Sequence, residues 1–201
     1  MNNSPFNLDH QNEDVSSKIV SALERISQTF RVLLWEESKK FGVTPIQIQV
    51  LIFINFHSEE KCKVTYLAKE FNMAKPTVSD TIKTLEEKGF IEKKHLKSDS
   101  RSYLIQLTKK GKALANKTSS FTSVLQQPIN TLSAADKDNL LTSLFGVIHH
   151  LNKTGVIAIQ RMCFSCSYYK FNNYHFCGLL NKELKTNDLR LDCAEHQLTL
   201  S

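Results

Sequence analysis

The chain has 201 residues, with 26 Lys and Arg against 20 Asp and Glu for a formal net charge of +6; 41% is hydrophobic and 23% charged. That balance belongs to a folded globular chain rather than a disordered one, and the length allows one sizeable domain or two small ones. No apolar run approaches the ~20 residues of a membrane span, the first residues lack the layout of a secretory signal, and six Gly and four Pro disfavour a Rossmann or β-sandwich fold, so a cytoplasmic chain with no membrane partner is expected.

In chain order, residues 1–12 are polar and read as a disordered tail. From Val15 to about Lys40, Ile19, Ala22, Leu23, Ile26, Phe30, Leu33 and Leu34 recur at helical spacing, which predicts one long amphipathic helix. Thr44-Pro45-Ile46-Gln47 has the layout of a capping box with proline at the first helical position, and opens a second helix through Val50, Leu51 and Ile54. Thr65 is placed to cap a short helix containing Leu67, Ala68 and Phe71. After the turn Asn72-Met73-Ala74, Pro76 starts a helix through Val78, Ile82 and Leu85, closed by Gly89.

Phe90 and Ile91 begin an extended segment, Lys97-Ser98-Asp99-Ser100-Arg101 is polar, and Tyr103, Ile105 and Leu107 alternate with period two. Together they predict a β-hairpin with a charged tip. A helix from Thr108 to about Gln127 and a last one over Ala134–Asn152 precede a cysteine-rich tail.

Charge is concentrated where the short helices and the hairpin lie. Residues 58–112 carry thirteen basic and eight acidic side chains, a net of +5, against −1 for residues 1–57 and +2 for residues 113–201. A surface that meets a phosphate backbone needs such an excess, although a solvated lysine-rich face produces the same count. Two short helices joined by a three-residue turn, the second followed at once by a charged hairpin, suggest a mainly α winged helix-turn-helix, whose second helix enters the major groove. On that helix Thr77, Ser79 and Thr81 supply hydroxyls for bases or phosphates, while Val78, Ile82 and Leu85 face the core.

The ordered segments Val64-Thr65-Tyr66-Leu67-Ala68, Pro76-Thr77-Val78-Ser79, Leu85-Glu86-Glu87-Lys88-Gly89-Phe90-Ile91, Asp99-Ser100-Arg101 and Leu107-Thr108-Lys109-Lys110-Gly111 closely resemble the MarR family of bacterial transcriptional regulators, over residues 15–152. The resemblance implies a homodimer on a pseudo-palindromic site in double-stranded DNA, with residues 13–43 and 112–152 as interlocking dimerisation helices and 44–111 as the DNA-binding part of a 13–152 domain. It also implies that Asp99 holds Arg101 as that guanidinium reaches into the minor groove, and a small-molecule effector is a further expectation. Lys93, Lys94, His95 and Lys97 flank the wing, and Lys75 and Lys83 lie on the recognition helix; all are expected at phosphates. Asp80, acidic where the family is often basic or polar, departs from the pattern and leaves base preference open.

The resemblance stops before residues 153–201. Four of the five cysteines fall in the last 39 residues, spaced C-x2-C, ten residues, C, fifteen residues, C-x2-H. In a reducing compartment this clustering points to a metal rather than to disulfides. Cys163, Cys166, Cys193 and His196 would make a tetrahedral zinc site from two knuckles; Cys163, Cys166, Cys177 and Cys193 would ligate zinc or an iron–sulfur cluster. The two-knuckle spacing favours zinc by a small margin, and the site is either structural or the sensor of a redox signal. Phe164, Tyr168, Tyr169, Phe171, Tyr174 and Phe176 would shield a cluster or form a small core. Cys62, between Lys61 and Lys63, is a minor redox candidate. A thiol oxidoreductase using Cys163 and Cys166 is the enzymatic alternative, weakened by the absence of βαβ context, so no enzyme is expected. A purely structural winged helix with a protein-binding tail is a third reading, against which the basic middle segment counts.

Overall fold

The computed structural model describes residues 4–96 and 99–198, with the side chains of residues 95–102 outside that description. Eight helices, a two-stranded hairpin and a small three-stranded sheet make up the described chain. The expected disordered tail carries a short helix, α1 (Leu8–Glu13), which the Asn7 side chain caps by accepting from the amides of Asp9 and His10. Asp14 then caps the long helix α2 (Val15–Phe41), whose end is set by Gly42 at φ 63°. A left-handed cap of this kind is cheap only for glycine.

Helix α3 (Pro45–Phe56) opens with the predicted capping box between Thr44 and Gln47. It is apolar around most of its circumference, as a helix buried on several sides must be. Ile48, Val50 and Leu51 are fully buried, and Leu67, Val78, Ile82, Leu85, Ile105 and Ala115 close around them. Each large side chain buried this way contributes about 1.5–3 kcal/mol of transfer free energy.

Helix α4 (Val64–Glu70) begins one residue before Thr65, behind Lys63, so the expected threonine cap is not formed. Its end makes the turn of the helix-turn-helix. Asn72 takes φ 50°, Met73 N–H donates to the Ala68 carbonyl at 2.8 Å, and Asn72 N–H donates to that of Lys69 at 3.2 Å. This six-to-one and five-to-two pair satisfies carbonyls that would otherwise be left open at the helix end. Helix α5 (Lys75–Glu87) follows, with Pro76 as its second residue, one later than expected. It ends in the same motif: Gly89 at φ 71°, Phe90 N–H to Leu85 at 2.9 Å and Gly89 N–H to Glu86 at 2.8 Å.

Strands β1 (Ile91–Leu96) and β2 (Asp99–Leu107) pair antiparallel from Ile91 opposite Leu107 to Leu96 opposite Asp99, with an irregularity at His95–Leu96. Ile105 N–H also donates to the Cys62 carbonyl at 3.0 Å, which ties the base of the hairpin to the segment before α4. Thr108 caps α6 (Lys109–Thr118). The single helix expected to reach Gln127 is broken, and α7 (Ser123–Asn130) is separate, with Pro128 inside it. The break falls in a Thr-Ser-Ser-Phe-Thr-Ser run: Thr118 Oγ1 donates back to Leu114 and Ser119 Oγ to Asn116. Hydroxyls that compete for helix carbonyls weaken a helix there.

Ser133 caps α8 (Ala134–Lys153), whose bounds match expectation within a residue. The tail folds into an antiparallel sheet of β3 (Tyr169–Phe171), β4 (His175–Cys177) and β5 (Lys182–Leu184). It packs on α8 through Phe145, Met162, Leu184 and Leu189, a second buried cluster separate from the first. Among the described residues no helix is long and apolar enough to cross a membrane.

Candidate nucleic-acid interface and cysteine cavity

Val78, Ile82 and Leu85 recur at i, i+4 and i+7 and anchor one side of α5 in the core. The opposite side is thereby turned outward, and Lys75, Thr77, Ser79, Asp80 and Lys83 are all exposed. Thr81 is a correction to the expected set: it is buried, and its hydroxyl donates to the Thr77 carbonyl at 2.9 Å. Its place between Val78 and Ile82 on the helical wheel puts it on the core side. Lys83 lies 4.0 Å from Glu87, both exposed, a pair too weak to hold the ammonium in place.

The hairpin projects beside α5. Lys94 is exposed on β1. Lys93 faces the other way, 2.5 Å from the Glu86 carboxylate and with its ammonium 5.2 Å from the Tyr103 ring centre. The Glu86 hydrogen bond holds the Lys93 ammonium charged. Lys93 therefore fastens the wing to α5. Lys97 lies outside the described residues, as do the side chains of His95, Asp99 and Arg101.

The tail brings the four clustered cysteines together. Cys163, Cys166, Cys177 and Cys193 all line one apolar cavity, closed on other sides by Tyr168, Tyr169, Leu180 and Leu184. All four thiols are free. The Arg190 backbone N–H donates to Cys163 Sγ at 3.2 Å, and the Arg190 guanidinium lies 3.4 Å from Cys193 Sγ, which in turn meets Glu195 at 3.4 Å. Burial pushes the Cys163 thiol up, the Arg190 amide pulls it down, and Cys193, Cys166 and Cys177 add to the upward push.

His196 stands elsewhere, its Nε2 3.0 Å from Ser165 Oγ, in a separate cavity with Lys61, Tyr66 and Arg161. The expected Cys3His set is thus not assembled. Among the described residues, no three His, Cys, Asp or Glu side chains converge closely enough to hold one metal ion. The six aromatic residues divide. Tyr168 and Tyr169 wall the cavity, Phe164 packs edge-on to Phe145 and Tyr169, Phe176 is half-buried on β4, and Phe171 and Tyr174 are exposed. Cys62 is buried, and loss of hydration pushes its thiol up to about 11, so it has little thiolate with which to react.

A junction that the sequence did not announce joins tail and helix-turn-helix. Arg161, 8% exposed, sends Nε and Nη2 to Asp192 at 2.6 and 2.7 Å, and Nη1 and Nη2 to Glu70 at 2.7 and 3.1 Å. Nη1 also donates to the Tyr66 hydroxyl at 2.7 Å. All five guanidinium N–H groups are thereby used. The Asp192 hydrogen bond holds Arg161 protonated, and the same bond, helped by His57, holds Asp192 well below the usual carboxylate range. His57 stacks on Phe53 at 3.7 Å and reaches Asp192 through Nε2 at 2.9 Å, so it is a structural histidine. A single arginine whose partners lie in distant segments leaves no mark in the sequence.

Residues 41–102, the segment that holds α3 to the wing, match the MarR family model. They fold as a winged helix-turn-helix, as that family's DNA-binding part does. The transcriptional regulator SarZ of Staphylococcus haemolyticus (strain JCSC1435) is 28% identical over 110 residues, which cover 55% of this chain and 73% of SarZ. Among solved structures, S. aureus MepR in complex with DNA aligns with a TM-score of 0.58 at 24% identity, over 66% of this chain and 97% of MepR. Streptococcus pneumoniae FabT, also in complex with DNA, aligns with a TM-score of 0.57 at 21% identity, over 69% of this chain and 99% of FabT. Both neighbours are matched over nearly their full length, so this chain has residues that the shared MarR fold does not use.

Proposed function

We propose that the chain is a homodimeric, sequence-specific DNA-binding transcriptional regulator with a metal site in its tail. The observation that carries this reading is α5, which offers Lys75, Thr77, Ser79 and Lys83 to solvent from a rigid, apolar-anchored helix beside the hairpin. MepR and FabT, with the same fold, were solved on DNA. Helix α5 enters the major groove, Lys94 and the wing meet the flanking backbone, and Asp99 and Arg101 serve the minor groove as the motif implies.

A dimer is supported by an apolar stripe that stays largely exposed among the described residues. Val15, Ile19, Leu23, Ile26 and Phe30 recur along α2 and remain 37–66% exposed, as do Val124 and Ile129 on α7 and Leu140 and Val147 on α8 at 41–51%. A second copy with the same stripe buries both, and sets the recognition helices about one DNA turn, ~34 Å, apart. A signal then acts by favouring one spacing of those helices over another. That signal enters as a small molecule or through the four-cysteine tail, which takes zinc or an iron–sulfur cluster.

The test is selection from randomised duplex DNA, followed by affinity measurement on the selected duplex over a salt series. Lys75, Lys83 and Lys94 of both protomers neutralise six phosphates, for a log–log salt slope of about −5. Absence of binding to any duplex at low salt would sink the proposal.

A further inference from the structure

Four thiols that line one cavity, no three of them meeting at a single-ion site, define a particular kind of site. A tetrahedral zinc with Zn–S bonds of ~2.3 Å needs sulfurs ~3.8 Å apart, and no such convergence exists among the described residues. A cubane of four irons and four sulfides binds each thiolate at a different corner, and so needs four cysteines spread around a void rather than gathered on a point. Cys163, Cys166, Cys177 and Cys193 all line one apolar void walled by Leu180, Leu184 and two tyrosines, and among the described residues no three of them meet at a single-ion site. Two nitrogen donors already face the sulfurs, the Arg190 amide at Cys163 and its guanidinium at Cys193. Donors of this kind stabilise the negative charge that cluster ligation gathers on sulfur.

The two strands of chain that carry the end cysteines also carry the junction. Arg161 and Asp192 face each other as a parallel bridge, and Cys193 N–H donates to the Arg161 carbonyl at 3.0 Å. Arg161 is two residues from Cys163, and its guanidinium grips Glu70 and Tyr66 of α4, the first helix of the helix-turn-helix. Behind the cavity, Leu184 and Leu189 rest on Phe145 of α8. The cavity wall thus packs on α8 through Leu184, and a chain neighbour of Cys163, Arg161, reaches α4.

We propose that Cys163, Cys166, Cys177 and Cys193 hold a cubane iron–sulfur cluster, and that its presence is felt by the helix-turn-helix through the Arg161–Asp192–Glu70 junction. The first half is independent of DNA binding; the second rests on the regulator reading above. A bound cluster draws Cys163 and Cys193 onto one rigid body, which holds Arg161 and Asp192 in register against α4. Without it the two segments are held by the bridge, the Arg161–Asp192 pair and the hydrogen bonds between Cys163 and Arg190.

The full chain, purified without oxygen and then supplied with ferrous iron and sulfide, is analysed for iron, sulfide, zinc and visible absorption. About four iron and four sulfide per chain are expected. They should be lost in each of the four Cys→Ser variants and kept in His196→Ala and Cys62→Ser. A colourless protein with one zinc per chain, a folded protein that takes up no iron, or loss of the cluster in His196→Ala overturns the first half.

For the second half, DNA affinity is compared with and without cluster, in the wild type and in Glu70→Gln. About a tenfold difference is expected in the wild type, falling below twofold in Glu70→Gln with cluster content unchanged. An equal difference in both proteins, or none in the wild type, overturns the coupling. Failure to bind DNA at all would appear separately, with the metal analysis still readable.

Discussion

Replacement of Arg161 by Ala removes five hydrogen bonds and the charge that two carboxylates share. What it leaves behind sets the cost. The Glu70 side chain is 19% exposed and has no other partner of comparable strength at hand, whereas the Asp192 side chain is 43% exposed, can hydrate and keeps His57. Breaking a well-formed buried pair from one side costs about 3–5 kcal/mol. With Asp192 half in water, the lower end, about 3 kcal/mol, is the expectation for Arg161→Ala.

For a chain of this size each kcal/mol moves Tm by roughly 2–4 °C, so a fall of roughly 6–12 °C should be seen by calorimetry at fixed protein concentration. Arg161→Lys keeps the charge but loses the planar fork, and should recover only part of the loss. A double-mutant cycle with Glu70→Ala should return a coupling of about 1.5–3 kcal/mol. An Arg161→Ala protein that melts within about 2 °C of wild type, with no added cleavage between residues 153 and 163 under limited proteolysis, would refute the idea that the arginine fastens the tail to the helix-turn-helix.

Three further outcomes follow from particular contacts. A Cβ on Gly111 would stand 1.8 Å from the Phe90 carbonyl oxygen, so Gly111→Ala must displace the start of α6 from the wing and cost at least about 1–3 kcal/mol; an unchanged denaturation midpoint would contradict this. Lys94→Ala should weaken DNA binding and reduce the salt slope by about 1 per protomer, while Lys93→Ala, which breaks a bond to Glu86, should change stability more than slope; equal slopes in the two variants would show that the division is wrong. Cys62 should escape alkylation at pH 8 in the folded protein and react once the chain is unfolded, because its thiol is buried and pushed up to about 11; mass spectrometry of labelled peptides reads this directly, and native labelling at the rate of an exposed thiol would count against it.

The helix-turn-helix was legible because its signals are local. A capping box at Thr44 and Gln47, a glycine at position 89, and period-two alternation through Tyr103, Ile105 and Leu107 each act within a few residues, and the helices and hairpin lie where those signals put them. The misreadings have local causes of another kind. The cap position of α4 falls to Lys63 rather than Thr65, and the hydroxyl-rich run after Thr118 splits a helix that apolar spacing alone makes continuous. Thr81 shows the limit of reading a helix start by residue type, since helical phase decided that its hydroxyl turns inward.

Local sequence alone specified the helix-turn-helix and hairpin, the apolar anchors Val78, Ile82 and Leu85 of α5, the placement of positive charge and the clustering of four cysteines. Periodicity, capping and composition are properties of neighbours along the chain, so they survive without a fold. Only the tertiary structure decided which sulfurs share a cavity, that His196 does not join them, and that Lys93 spends its charge on Glu86. It alone joined Arg161 to Glu70, 91 residues away in the chain. Such pairings depend on how layers dock, and docking is set by the summed shape of two buried clusters rather than by any single stretch of residues.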